Sequence, residues 1–346
     1  MSGRDAVSWA TIGRVVLAGL GVWMFIETWR VWMLLLIAVI VAAAILPAAR
    51  WGDRYHIPRI VSVTGIYLGA SVVVAVLGNL LVPAFIEQGT QFARQLPALI
   101  ENVSDWAGRL VAWGARRGVP MPDLLTGGVS FEGIGEVLIQ NTIRATAGAL
   151  GAVVGFLLVL ILAAYLAIDA ERVGRGAVAL LPARHRDRAT GLAEPVLGVI
   201  GAYVRGQALV SLSVGILIAA GLGVMGVPYP LLIGGLAAAL NIVPFVGSPT
   251  AAVLGVLSAL NISVGLALWS ALLFWGVNVL EGKVLLPYFV GRATGLHPVA
   301  VLLAIVIGVN LAGVIGALVA VPVLAGLWEV FRVMSVGSGS RKGGSS

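Results

Sequence analysis

The residues that could carry chemistry in this chain are few, and the strongest group interrupts a long apolar stretch. Residues 206–280 contain no Asp, Glu, Lys, Arg or His, and near the middle this stretch is broken by Asn241, Pro244, Gly247 and Ser248. Proline opens a helix by removing a backbone donor, so freed carbonyl groups and the Asn241 amide become available to a polar solute or a cation. The pattern predicts a binding site, and a plain kink capped by Asn241 is the simpler alternative.

A second candidate group lies where the uncharged stretch ends. Glu281 is the first ionisable residue, and Asn278, three residues earlier, shares its helix face. An acidic residue near membrane depth is a functional candidate by default, so we expect Glu281 to be the coupling residue and the only plausible proton carrier of the C-terminal half. The alternative is an interfacial charge close to Lys283 that reaches the lipid headgroups.

Further polar residues flank these two groups. We predict that Arg205, Gln207, Arg292 and His297 form a cytoplasmic gate, and that Asn310 contacts the solute from a second broken segment. For Arg205 the alternative is an anchor that obeys the positive-inside rule. For His297 it is a loop or helix-capping residue.

The composition places these residues in a polytopic membrane protein. The chain has 346 residues, of which 60% are hydrophobic and 11% charged, and its mean hydropathy is +1.04. The absence of cysteine excludes disulfides and thiolate metal sites, and three scattered histidines argue against a metal enzyme. We expect no cofactor, no metal and no catalytic residue. The net charge of +7 comes from short arginine blocks between apolar spans, which indicates membrane orientation rather than nucleic-acid binding.

The apolar runs predict an all-α protein with about six full spans, because a membrane-spanning helix needs roughly 20 apolar residues. The candidate spans lie at about 12–26, 31–47, 60–82, 147–168, 207–225 and 263–280. The arginine-rich loops at 50–59 and 172–205 are predicted to be cytoplasmic. Both termini would then be cytoplasmic.

The spans divide the chain into five predicted segments. The N-terminal spans are at residues 1–82 and an extracytoplasmic amphipathic helical insert at 83–146. A span with a basic loop follows at 147–206, then a transport core at 207–332 and a disordered tail at 333–346. In the core, residues 231–260 and 298–331 are each broken into pieces too short to span. They are either kinked spans or re-entrant helical hairpins, and the charge pattern favours two hairpins of opposite orientation.

The insert begins with an apolar seam. Its residues alternate at spacings of four and three: Phe85, Gly89, Phe92, Leu96, Leu99, Val103, Trp106 and Leu110. This face either packs on the protein's own membrane domain or forms a contact between subunits.

Several of these motifs occur in the order found in a known family. They are Tyr203-Val-Arg205-Gly206-Gln207, the segment from Asn241 to Pro249, Glu281 with Pro287, and Leu296-His297-Pro298. Over nearly its whole length the chain resembles the autoinducer-2 exporter family of bacterial membrane proteins. The resemblance implies a homo-oligomer, with a pentamer as one candidate, that exports a small polar solute such as autoinducer-2 from the bacterial inner membrane. For some relatives it implies sodium–proton exchange.

Together these observations predict a secondary-active exporter that works by alternating access, with an elevator movement as one form. The expected partners are membrane lipid, a small polar solute and a coupling H⁺ or Na⁺, without nucleic acid. Two alternatives remain. One is a sodium–proton antiporter that uses Glu281, and the other is a non-transporting membrane scaffold built on the apolar seam.

Overall fold

The computed structural model describes residues 9–117, 154–244, 246–290 and 295–339, and within these ranges the chain is helical without any β-strand. The described elements are α1 (Trp9–Glu27), α2 (Trp29–Asp53), α3 (Arg59–Arg117), α4 (Val154–Ile168), α5 (Ala170–Ala179), α6 (Ala183–Val224), α7 (Pro230–Leu240), α8 (Gly247–Leu260), α9 (Val264–Leu280), a π-helix (Glu281–Val290) and α10 (Pro298–Gly339). The prediction of an all-α fold is confirmed.

Five helical stretches are long and apolar enough to cross a membrane: Trp29–Asp53, Arg59–Gln95, Ala183–Val224, Val264–Val290 and Pro298–Ser335. The pair α4 and α5, bent by 85° at the break between them, makes a sixth when it is counted as one span. The chain is therefore a polytopic helical membrane protein. The first predicted span, at about 12–26, falls within α1, which is not among these stretches.

Two arginine-rich parts of the chain, residues 50–59 and 172–205, meet at one end of the molecule. Arg59 Nη2 donates to Glu171 Oε1 at 2.6 Å, and Arg50 pairs with Glu194. These ion pairs bring the two basic loops together at what we call the arginine-rich end. At the opposite end, Asn102 on α3 bonds to Asn261, which follows α8.

Helix α3 extends well beyond the membrane-spanning length. Its 59 residues correspond to about 88 Å at roughly 1.5 Å per residue, against a hydrocarbon core of about 30 Å. Pro83 lies inside the helix, so α3 continues where the sequence predicted a boundary at residue 82. The start of the apolar seam contacts the protein's own α7, because the ring of Phe92 packs edge-on against Tyr229 at 5.5 Å. The predicted insert beyond residue 117 lies outside the described residues until 154.

The first broken segment is a helical hairpin. Helices α7 and α8 have 11 and 14 residues, or about 16 and 21 Å, which is too short to cross the membrane. Both outer ends contact α3, since Tyr229 donates to Gln95 Oε1 at 2.6 Å and Asn261 meets Asn102. The hairpin therefore opens at the end opposite the arginine-rich one, and its tip, residues 241–244 and 246, lies at mid-depth.

The second broken segment also folds back on itself. Helix α10 is interrupted at Ala312 and Gly313, where φ is −143° and +58°. Gly308 and Gly316 are in backbone contact, although eight residues of straight helix would separate them by about 12 Å. The positive φ favours glycine at this turn. The chain thus forms two limbs, residues 298–311 and 314–339, and α10 is helical through residues 333–339, where the sequence predicted a disordered tail.

The two hairpins enter from opposite ends and meet. The open end of the second one lies at the arginine-rich end, because Gly326 contacts Val196 near the start of α6. At its inner end, Ile305 and Ala317 share one apolar cluster with Val243 from the tip of the first hairpin. The tip of the first hairpin is buried at Asn241 and Val243, whereas the turn of the second is half-buried at Ala312 and exposed at Gly313.

Candidate functional site

Glu281 lies at the junction of α9 and the π-helix, where it is buried against the first hairpin. Its side chain accepts two hydrogen bonds, from Asn241 Nδ2 to Oε1 at 2.8 Å and from Ser248 Oγ to Oε2 at 3.2 Å. The residue is only 8% exposed, so the carboxyl is held by the hairpin tip and does not reach the headgroup region. Pro287 lies within the π-helix, a helix type that occurs frequently at functional sites.

Asn241 connects this carboxyl to α6. Its backbone carbonyl, at the C-terminal end of α7, accepts a hydrogen bond from Gln207 Nε2 at 2.6 Å. Helix ends leave carbonyl groups without intrahelical partners, and Gln207 supplies the missing donor here. We call Gln207, Asn241, Ser248 and Glu281 the polar cluster; all four are buried.

The two helix ends at the hairpin tip give the polar cluster a defined electrostatic character. Ser248 lies in the first turn of α8, and a helix N-terminus carries a partial positive charge that stabilises an anion. The C-terminal carbonyl groups of α7, beside Asn241, carry the opposite partial charge. A tight turn makes this possible, since a Cβ on Gly247 would lie 2.6 Å from Asn241 Cα.

The polar cluster contains oxygen atoms but no cationic side chain. Among the described residues, Glu281 makes no ion pair, and nearby Lys283 is exposed. The Oε1 atom of Gln207 is buried without a hydrogen-bond partner among those residues. A buried carboxylate is costly unless it is neutralised, and hard cations prefer oxygen ligands. The arrangement can therefore bind a proton or a small cation.

An apolar groove leads to the polar cluster. A cavity of about 550 Å³ lies between α8 and α9, and its only polar lining residues are Ser248 and Asn278. Ser248 also bonds to Glu281, so the groove ends on the cluster. Asn278 is exposed within this groove and does not join the cluster.

Arg205 points away from the polar cluster and ties α6 to α2. Its Nη1 donates to the backbone carbonyl of Ala44 at 2.9 Å and approaches that of Ala43 at 3.5 Å. In a regular helix the carbonyl of Ala43 would accept from residue 47, which is proline and has no N–H. The guanidinium group replaces that donor, a pairing that the sequence analysis missed although Pro47 signals an open carbonyl.

The remaining predicted site residues lie apart from the polar cluster. Pro244 is half-buried in the hairpin tip. His297 Nδ1 accepts from Val299 N at 3.3 Å, which caps the start of α10. Asn310 is exposed and donates to the carbonyl of Val306 in its own limb. Arg292 lies outside the described residues.

One buried acidic residue was missed by the sequence analysis. Glu329, in the last part of α10, is 3% exposed, and its Oε1 accepts from Arg332 Nη2 at 2.7 Å. The spacing of three residues between Glu329 and Arg332 could have indicated this pair. Glu281 is therefore not the only buried carboxyl of the C-terminal half, but it is the one without a basic partner among the described residues.

Comparison with known proteins gives a consistent result. The family described as AI-2E family transporter matches residues 14–335. Similar chains include "Putative transport protein YrrI" of Bacillus subtilis (strain 168), 29% identical over 91% of this chain and 88% of that protein. "Putative transport protein MT0215" of Mycobacterium tuberculosis (strain CDC 1551 / Oshkosh) is 31% identical over 97% and 92%. "Putative permease PerM" of Escherichia coli (strain K12) is 26% identical over 72% and 74%.

Proposed function

The chain belongs to the AI-2E family of membrane transporters, and on that premise we propose that Glu281 carries the ion that drives its transport. The observation that supports this role is the buried carboxyl itself, which has two hydrogen-bond donors and no basic partner among the described residues. Such a group is neutralised when it binds H⁺ or Na⁺. Ion binding therefore changes the charge at the tip of the first hairpin.

The opposed hairpins support alternating access as the mechanism. One hairpin opens toward each end of the molecule, and their inner ends share an apolar cluster around Val243 and Ile305. Movement of this pair, together with α6, against α2 and α4 would expose the polar cluster to one side at a time. An elevator movement is one form of this mechanism. Neutralising Glu281 lowers the cost of moving the cluster through the apolar interior.

The proposed cargo is a small polar solute that leaves the cell, autoinducer-2 being the candidate that the family name supplies. It would contact Ser248 and Asn278 in the groove. The lining of the groove favours a second candidate, sodium–proton antiport, because its other lining residues are apolar. A polar solute finds few partners there, whereas the polar cluster binds an ion without any solute.

The proposed location is the bacterial inner membrane, with multiple spans and both termini cytoplasmic. The arginine-rich end supports this orientation, since cytoplasmic loops carry an excess of Lys and Arg. We also propose a homo-oligomer, with a pentamer as one candidate, on the basis of family membership. The mass of the purified protein in detergent tests the subunit number.

Transport in proteoliposomes tests the function. Purified protein is reconstituted into vesicles loaded with labelled autoinducer-2, and efflux is followed with and without imposed proton and sodium gradients. We expect gradient-dependent efflux in the wild type. Asn241→Ala should abolish it, because Glu281 then loses its closest donor. Asn79→Ala is the matched control, since Asn79 donates only to the carbonyl of Ala75 within α3 in the described residues.

The same vesicles separate the alternatives. A change in internal pH on addition of sodium, without solute efflux, would favour the antiporter. Efflux that is independent of both gradients would contradict ion coupling. If neither solute efflux nor a change in internal pH were observed, autoinducer-2 would be rejected as the cargo. Another solute or the scaffold interpretation would then be favoured.

A further inference from the structure

Two adjoining cavities lie at the arginine-rich end, remote from the hairpin tips. The first, of about 390 Å³, is lined by Arg50 and Trp51 of α2, by Arg54 directly after that helix and by Glu194 of α6. The second, of about 230 Å³, lies among α2, α4, α5 and α6 and has an entirely apolar lining. The two share three lining residues: Ala43, Leu46 and Leu197. They are therefore neighbours, one basic and one apolar.

The depth of the two cavities can be read from α2. The lining of the basic cavity extends to Arg54, directly after α2, whereas the apolar one reaches back along α2 to Val39, about four turns deeper. Trp51 and Tyr55 pack edge-on at 4.9 Å and are more than half exposed. Exposed Trp and Tyr side chains mark the membrane–water interface, so the basic cavity lies at headgroup level.

Helix α5 covers the apolar cavity at the same level. It is bent by 85° from α4, so it runs roughly parallel to the membrane plane if α4 crosses the membrane. Val173 and Ala177, one turn apart, face the apolar cavity, while Arg172 and Arg175 belong to its polar side. The apolar cavity thus begins directly below an interfacial helix.

The basic cavity carries a net positive charge. Arg50 is paired with Glu194, but their side chains are 48% and 73% exposed, and such pairs contribute little. The Arg54 side chain has no hydrogen-bond or ion-pair partner in the part of the chain that the structure describes. With two arginines against one glutamate, the cavity complements an anion, and arginine binds phosphate with directed hydrogen bonds.

We propose that this pair of cavities binds one anionic phospholipid. Its phosphate would contact Arg50 and Arg54, and one acyl chain would occupy the apolar cavity under α5. A basic cavity between membrane helices is a typical site for an acidic headgroup, and the adjoining apolar cavity selects a lipid over free phosphate. Bound there, the lipid holds α5 against α2 and α6 and does not touch the polar cluster.

Native mass spectrometry of the detergent-purified, full-length protein tests this site. The protein is titrated with dioleoyl phosphatidylglycerol or dioleoyl phosphatidylcholine. We expect the first phosphatidylglycerol to bind at least tenfold more tightly than phosphatidylcholine. The double variant Arg50→Gln/Arg54→Gln should weaken phosphatidylglycerol binding roughly 25-fold, at about fivefold for each arginine. Arg50→Lys/Arg54→Lys should keep most of the binding, which shows that a loss is not due to misfolding.

Three matched comparisons decide the result. Arg184→Gln/Arg188→Gln removes the same charge from an exposed part of α6 and should leave the affinity unchanged. Ala177→Leu fills the apolar cavity and should weaken binding, whereas Ala179→Leu, on the other face of α5, should not. The headgroup alone, glycerophosphoglycerol, should bind far more weakly than the lipid. The proposal would be overturned if the two lipids bound equally tightly, or if Arg184→Gln/Arg188→Gln weakened phosphatidylglycerol binding as much as Arg50→Gln/Arg54→Gln. Binding of the headgroup alone with the affinity of the lipid would also overturn it.

Discussion

Replacement of Gly247 by alanine should displace the tip of the first hairpin. A Cβ at this position would lie 2.6 Å from Asn241 Cα and 2.7 Å from Asn241 Cβ, and it would also overlap the backbone nitrogen of Asn241. Backbone atoms cannot escape by changing rotamer, so the two sides of the turn must separate by about 1 Å to restore ordinary contact. Overpacking of this kind costs roughly 1–3 kcal/mol.

The displacement acts directly on the polar cluster. The bond from Asn241 Nδ2 to Glu281 Oε1 is 2.8 Å long, and a further shift of about 1 Å takes it beyond hydrogen-bonding distance. A hydrogen bond to a charged group contributes roughly 1.5–3 kcal/mol, which corresponds to a factor of about 10 to 100 in ion affinity. Because the lost donor stabilises the free carboxylate, Gly247→Ala should lower the thermal stability of the transporter and tighten its ion binding.

The assay combines two measurements on one preparation. Thermal denaturation in detergent reports stability, and the ion concentration that gives half-maximal transport in proteoliposomes reports affinity. Gly276→Ala is the control, because a methyl group added at this position on α9 would meet nothing within 4 Å among the described residues and alanine favours a helix. If Gly247→Ala matched this control in both measurements, the tight turn and its role in positioning Asn241 would be refuted.

Three further changes test the contacts that hold the hairpins in place. Arg205→Ala should lower the thermal stability by roughly 1–2 kcal/mol, because the carbonyls of Ala44 and Ala43 lose a charged donor. Tyr229→Phe removes the bond to Gln95 and should destabilise the α3–α7 contact by about 1 kcal/mol, seen as faster hydrogen exchange in α7. Gly313→Ala places a side chain at φ +58° and should cost roughly 1–2 kcal/mol in thermal denaturation.

Each of these changes has a control of the same chemistry. Arg188→Ala, Tyr288→Phe and Gly282→Ala alter side chains or backbone positions that have no comparable contact in the described residues, so they should be nearly neutral. A loss of stability in a control as large as in its partner would contradict the assigned contact. For Arg205 a second check is available: Pro47→Ala restores the backbone donor for Ala43, so the double variant should lose less than Arg205→Ala alone.

The sequence predicts the membrane class and both broken segments because their signals are local. Prolines, glycines and an asparagine within an uncharged stretch leave few structures that satisfy the backbone in lipid. The hairpin around Asn241 and the fold-back at Gly313 follow from this rule. The charge pattern likewise predicts that the two basic loops share one end, which the ion pair between Arg59 and Glu171 shows directly.

The assembly of the polar cluster depends on distant contacts that no local pattern encodes. Glu281 meets Asn241 across 40 residues of chain, and Arg205 finds its acceptors 161 and 162 residues away. Asn278 and Glu281 share a helix face by spacing, yet Asn278 lines the groove and Glu281 bonds to the hairpin tip.

The central claim is that the carboxyl of Glu281 couples ion binding to transport, and Glu281→Gln tests it most directly. The change keeps the size of the side chain and removes its charge. In proteoliposomes we expect transport driven by a proton or sodium gradient to be lost, while solute exchange without a gradient persists. Glu329→Gln is the matched control, because that buried carboxyl is paired with Arg332, and it should keep gradient-driven transport. Gradient-driven transport at the wild-type rate in Glu281→Gln would contradict the account.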